Sequence, residues 1–193
     1  EEDIRAVVGN NDFDLKIACL TFSKSCEWMY PSPQPVENFN WKGVSAGGPT
    51  PLGAACRELN KKLSKNEFMT SPSGSVAPVL FLMSDGAPTD EFEAGLSELE
   101  KNNWFKYAIK VAVAIGDDAD QNCLAKFTGT EEAVITVHTP DALKEWIKAI
   151  SITSSQIGSQ SSNTLTQSKQ DTMITAIKEM PDLYAEISEV SSI

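Results

Sequence analysis

Residues 79–90 read VLFLMSDGAPTD, and this stretch decides the fold. The five apolar residues from Val79 to Met83 have the continuity of a strand buried on both faces. The run ends at once in Ser84-Asp85-Gly86, with an acid close behind the last apolar position. Pro88 punctuates the turn, and Asp90 is placed to cap a helix whose Phe92, Leu96 and Leu99 recur at helical spacing. In open α/β sheets ligands bind beyond the carboxyl ends of the strands, which is where this reading puts Asp85. Alone, a Ser-Asp-Gly turn is more often just a turn. The flanking segments give it weight.

Downstream, residues 107–115 form another buried strand, closed by Gly116-Asp117-Asp118. A short helix over 120–127 and a strand over 133–137 follow. Thr139 and Pro140 then suit the N-cap and first turn of a helix with Leu143, Trp146, Ile147 and Ile150 on its apolar face. Upstream, the loop Gly47-Gly48-Pro49-Thr50-Pro51 leads into a helix by the same threonine–proline pairing. Leu52, Cys56, Leu59 and Leu63 give that helix its stripe. Residues 71–75 are a loop of small residues.

Residues 15–22 (LKIACLTF) read as a mostly buried strand with a hairpin partner over 25–30. Three prolines between 30 and 35 then keep the chain extended, and 39–44 reads as a short edge strand. Residues 1–8 have the pattern of a helix end, closed by Gly9 and a turn of asparagines and aspartate. From 153 to 170 the chain is rich in Ser, Thr and Gln, and 171–190 shows only a weak helical pattern broken at Pro181. The expected organisation is a domain over 1–154 and a linker and tail over 155–193, with two short helices in 171–190 that dock on the rest. Strands alternating with helices predict a doubly wound, mainly parallel, Rossmann-like α/β sheet. Val79–Ser84 should lie near its centre, with Thr50 and Asp85 on one edge.

Composition narrows the function classes. The chain has 193 residues and a formal net charge of −11, which argues against nucleic acid because phosphates would be repelled. No stretch approaches the roughly 20 apolar residues of a membrane helix. Cys19, Cys26, Cys56 and Cys123 lack the paired spacing of a zinc site, and their scatter fits a reducing, cytoplasmic setting. No catalytic residue emerges. His138 is the only histidine, and there is no nucleophile elbow, dinucleotide fingerprint or Walker loop. Ala87 stands where a phosphatase of the haloacid-dehalogenase type needs a second acid. Asp118-x-Asp120-x-Asn122 starts like a calcium loop, but Cys123 replaces its glycine and Gly129 its glutamate, so these acids read as helix caps. The hydroxyl of Thr50 and the carboxylate of Asp85 remain. They are hard oxygen ligands suited to Mg2+ or Mn2+.

Residues 47–55 (GGPTPLGAA) followed by 79–90 resemble the von Willebrand factor A (vWA) domain, with its intracellular bacterial TerY-like, tellurium-resistance-associated branch the most similar. Residues 15–22, the IGDDAD turn at 115–120 and the last tryptophan-bearing helix match as well, over roughly 1–154. The resemblance implies a metal-ion-dependent adhesion site (MIDAS) for magnesium or manganese. Its threonine corresponds to Thr50 and its third-loop aspartate to Asp85. The family's Asp-x-Ser-x-Ser loop has no counterpart here, which implies an N-terminally incomplete domain. The absent strand would lie between 15–22 and Val79–Ser84. The implied function is a non-enzymatic, metal-dependent protein-interaction module that takes an acidic side chain from its partner, in a tellurite or stress response. The alternatives are a metal-dependent hydrolase at the same edge, or a structural domain with a vestigial site.

Overall fold

The structure, a computed structural model, describes residues 15–43, 47–70, 77–159 and 168–180. The expectations for 1–12, 71–75 and 181–190 lie outside them. The chain divides into two compact units, one drawn from Glu1–Pro78 and Ala87–Ala108, the other from Val79–Gly86 and Ile109–Ile193.

The second unit holds the parallel sheet. β5 (Val79–Ser84), β6 (Ile109–Ile115) and β7 (Val134–Val137) lie in that order, with Val79 opposite Ile109 and Ala112 opposite Val134. Val111, Ala112, Val113 and Ala114 are all fully buried, so β6 is covered on both faces, as a continuous apolar run requires. Helices α4 (Gln121–Thr128), α5 (Pro140–Ser159) and α6 (Lys169–Lys178) pack against the sheet and the short 3-10 turn Glu131–Ala133. Trp146, Ile150 and Ile157 of α5 and Met173 of α6 join Ile109, Val111 and Val113 in one core. The fold is mixed α/β with a parallel sheet, as the alternation of elements predicts.

Two expectations for this unit need correction. Among the described residues β5 is an edge strand, not a central one, and Val79 (40%) and Met83 (36%) are exposed. The segment from 153 does not start as a linker, although the expected helix in the tail is present. α5 runs on to Ser159, and α6 docks by an unusual device. β7 begins opposite Ala112, so its ladder stops short of Lys110. The Gln170 side-chain amide fills the place of a strand: Lys110 N–H donates to its Oε1 at 2.8 Å, and its Nε2 donates to the Lys110 carbonyl at 2.9 Å.

The first unit holds short antiparallel ladders and two crossing helices. Residues 15–22 do not form one buried strand. β1 (Lys16–Ile17) pairs with β4 (Gln34–Pro35), while β2 (Leu20–Phe22) pairs with β3 (Cys26–Trp28), and none of residues 15–22 is fully buried. The break comes where the chain changes partner, at Ala18-Cys19. Residues 39–43 are not a strand either. Phe39 is buried and meets the Tyr30 ring edge-on at 5.6 Å, and the segment is held by Tyr30 and Lys42 side chains on the carbonyls of Asn40 and Met29.

The amphipathic helix expected after Pro51 is α1 (Leu52–Lys62), with Leu52 and Cys56 buried. It crosses α2 (Phe92–Leu99), whose Phe92, Leu96 and Leu99 are buried as their spacing predicts. The crossing is close because two glycines meet. A Cβ on Gly95 would run into the backbone of Gly53, and one on Gly53 would sit 2.6 Å from the Glu91 carbonyl oxygen. A further turn, α3 (Asn103–Lys106), is absent from the periodicity; Asn102 caps it and ties it to Asn60 and Leu63.

Candidate functional site

In the first unit the loop that carries Thr50 is gripped from two sides. Gly47 and Gly48 both have positive φ (115° and 100°), which admits little but glycine. The Ser23 hydroxyl, in the turn between β2 and β3, donates to the Gly47 carbonyl at 2.7 Å, and a Cβ on Gly48 would collide with it. On the other side, Thr50 N–H donates to Thr89 Oγ1 at 3.0 Å, and Thr89 N–H donates to the Thr50 carbonyl at 2.9 Å. Asp90 completes the clasp. Its two carboxylate oxygens accept from Gly53 N–H and Ala54 N–H, each at 2.8 Å.

This arrangement departs from the expected caps. By sequence Thr50 caps α1 and Asp90 caps α2. In the structure α1 starts one residue later, with Pro51 in the N-cap position, so Thr50 lies outside the cap and Asp90 bonds the first-turn N–H groups, while the N-cap position of α2 is Glu91. The Asp90 carbonyl already accepts from Phe92 N–H at 2.8 Å, so its carboxylate is free to reach across to the other helix. A negative charge suits the positive end of α1 better than a hydroxyl does. At Thr139-Pro140 the same dipeptide behaves as predicted: Ala142 N–H donates to Thr139 Oγ1 at 3.2 Å. The Thr50 hydroxyl, half-buried, bonds no described residue.

In the second unit Asp85 follows β5, Gly116-Asp117 follows β6 and His138 follows β7. They therefore share the carboxyl edge of the parallel sheet. Asp85 sits on a turn fixed from beneath by the buried Ser84, whose hydroxyl donates to the Gly86 carbonyl at 3.1 Å. Its own carboxylate is exposed and pairs with no described residue. Thr50 belongs to the first unit and Asp85 to the second. Each keeps a hard oxygen donor uncommitted on a loop anchored within its unit, a donor type that fits magnesium or manganese. Among the described residues no group of three or more His, Cys, Asp or Glu side chains gathers to hold a metal.

The other candidates resolve as local structure. Asp120 caps α4, accepting from Cys123 N–H at 3.0 Å, and that bond holds its carboxyl below the ordinary range. His138 and Asp117 are exposed and 3.7 Å apart, a surface pair with little energetic weight. All four cysteines are free, and burial pushes the Cys56 thiol up to about 12. Sequence reasoning missed Ser23, Thr89 and the true role of Asp90. Their partners lie 24 to 39 positions away, beyond any periodicity.

Comparison with known proteins now bears on this geometry. No family model and no curated protein matches the chain. Solved structures do. Proximal thread matrix protein 1 from the mussel byssus superposes with a TM-score of 0.58 at 16% identity, covering 78% of this chain and 40% of that one. Its form with a zinc-occupied MIDAS motif gives 0.57 at 17% identity, over 77% of this chain and 40% of that one. VWA2, the ArnB paralog from Sulfolobus acidocaldarius, gives 0.54 at 17% identity, over 77% and 38%. The fold is that of a vWA domain. This chain thus spans about two fifths of the length of each structure it resembles. No helix among the described residues is long and apolar enough to cross a membrane.

Proposed function

We propose that this protein is a non-enzymatic interaction module that holds Mg2+ or Mn2+ with Thr50 and Asp85 and receives an acidic side chain from a protein partner. The observation that carries this reading is the uncommitted state of both groups. The Thr50 hydroxyl, one residue before the Pro51 N-cap, and the Asp85 carboxylate bond no described residue. A divalent cation of this class takes about six oxygen ligands, so these two leave positions for water and for a partner's carboxylate. When bound, the cation supplies the charge that attracts that carboxylate. The chain's own part is to hold the hydroxyl and the carboxylate still, through the Thr89 and Asp90 clasp on one loop and the Ser84 turn on the other. Placing Thr50 and Asp85 on one edge of a common sheet belongs to this proposal. The zinc-occupied MIDAS of the mussel protein supports metal binding at this kind of site. The hard-oxygen donors here favour magnesium or manganese over zinc.

The finer assignment rests on the resemblance of 47–55 and 79–90 to the TerY-like branch: a cytoplasmic partner protein in a tellurite or stress response. The test is calorimetric titration of Mn2+ and Mg2+ into the wild type, Thr50→Ala and Asp85→Ala. Both variants should lose measurable affinity, and Asp85→Ala should keep its melting temperature, because an exposed carboxylate is not a packing residue. Undiminished affinity in Asp85→Ala overturns the site. Absence of binding in the wild type points to a vestigial site, and turnover of phosphoesters to a hydrolase.

A further inference from the structure

We infer that Asp117 and His138 form an open zinc site at the carboxyl edge of the parallel sheet, independent of the magnesium or manganese reading of Thr50 and Asp85. Every residue it needs lies in the second unit. The ladder between β6 and β7 ends with Ile115 opposite Val137. One more bond, from Gly116 N–H to the Val137 carbonyl at 2.8 Å, carries the pairing past it. Asp117 and His138 are the next residues on the two sides. Gly116, at φ 73°, turns the chain there in a conformation that favours glycine. His138 Nδ1 then stands 3.7 Å from Asp117 Oδ1.

Distance and charge both suit this pair to a cation. At 3.7 Å the nitrogen and oxygen are too far apart for a hydrogen bond, and an exposed ion pair adds little to the fold. The separation does match a shared metal. With Zn–N and Zn–O bonds of about 2.0–2.2 Å, two ligands of a tetrahedral zinc stand about 3.4 Å apart, a small side-chain rotation away. The edge is also negative. Asp85 and Asp118 stand there too, and among the described residues no Lys or Arg side chain pairs with Asp85, Asp117 or Asp118. A cation neutralises that charge. The donor set selects the metal: imidazole with a carboxylate suits zinc, whereas magnesium prefers oxygen ligands alone. The described residues supply two donors, since no group of three gathers among them. Water or a partner's side chain takes the remaining positions, which leaves the site exposed and exchangeable.

His138 is the only histidine of the chain, so its imidazole reports on this site alone. The test is titration of the full chain with Zn2+, in excess over the four free thiols, followed through the imidazole 15N signals. Saturable coordination through Nδ1 is expected, with Nε2 keeping its proton. Asp117→Asn, close in size but uncharged, should weaken the apparent affinity about tenfold or more, because even outer partners of metal ligands matter that much. Asp118→Asn removes the same charge from a residue that does not ligate, and should weaken it by a smaller factor. Neither substitution should move the melting temperature, because both carboxylates are exposed. An imidazole that does not respond to zinc overturns the inference, and so does coordination that Asp117→Asn leaves intact. Equal losses from Asp117→Asn and Asp118→Asn overturn it as well, since they mark a diffuse acidic surface rather than ligation. Magnesium or manganese held by Thr50 and Asp85 gives no coordination at Nδ1, so that reading and this one stand or fall separately.

Discussion

At the scale of single residues, burial and partner choice override what a side chain does in water. Cys56 shows this most simply. It is 3% exposed on α1, and burial, reinforced by the Asp90 charge, pushes its thiol from 9.0 up to about 12. The folded state therefore holds the Cys56 proton where the unfolded chain would release it. Its contribution to stability is complete below pH 9, and is lost as pH rises from 9.0 toward about 12. Denaturant melts at pH 8 and pH 10.5 should show a steeper alkaline loss in the wild type than in Cys56→Ala. At pH 8 iodoacetamide should leave Cys56 unmodified in the folded protein. Parallel slopes for the two proteins would show that the thiol is not held neutral. Asp120 runs the opposite way, its carboxyl held below the usual range by the N–H of Cys123, so its contribution is lost only in acid.

At the scale of elements, docking can depend on one polar side chain rather than on an apolar stripe. Gln170 is the case in point. Replacing it with Ala leaves Lys110 N–H and C=O without the partners they have at 2.8 and 2.9 Å. Because the site is half-buried, Gln170→Ala should cost about 1–3 kcal/mol by urea titration. It should also release α6 to faster amide exchange than α5. A variant whose α6 stays protected would place the docking energy in its apolar contacts, Met173 and Ile174 first. The same element marks the limit of sequence reading. Val79–Ser84, Ile109–Ile115 and Val134–Val137 are legible because their apolar runs are continuous. α1, α2 and α5 are legible because their buried residues recur at helical spacing. α6 shows only as a weak helical pattern, because Met173 and Ile174 are its buried residues and its polar anchor Gln170 follows a Ser/Thr/Gln-rich stretch. Residues 15–22 misled in the other direction, since an apolar run does not reveal that the strand changes partner midway. Of the candidate site, Thr50 and Asp85 could be named from motif and position. The clasp of Thr89 and Asp90 could not, because it joins segments 36 to 39 residues apart.

At the scale of the whole molecule, the question is how far the parallel sheet extends beyond its described strands. β6 has a neighbour on each side, while β5 has one, and among the described residues nothing pairs with its outer edge. Its sequence is that of an interior strand, VLFLMS, yet Val79 is 40% exposed and Met83 36%. An apolar strand with open donors and acceptors invites another strand. Native-state hydrogen exchange separates the two conditions of that edge. Amides of β6 should exchange only on global unfolding, since both of its sides are paired. In β5, the amides that face β6 should match them. Those that face outward should exchange many-fold faster, because nothing within the described structure holds them. An upstream extension or partner that supplies a strand should bring the outward amides to the rate of β6, and should cover Val79 and Met83 against oxidation or labelling. If every β5 amide is already as slow as those of β6 in this chain alone, the outer edge is paired, and β5 is the interior strand that its sequence describes.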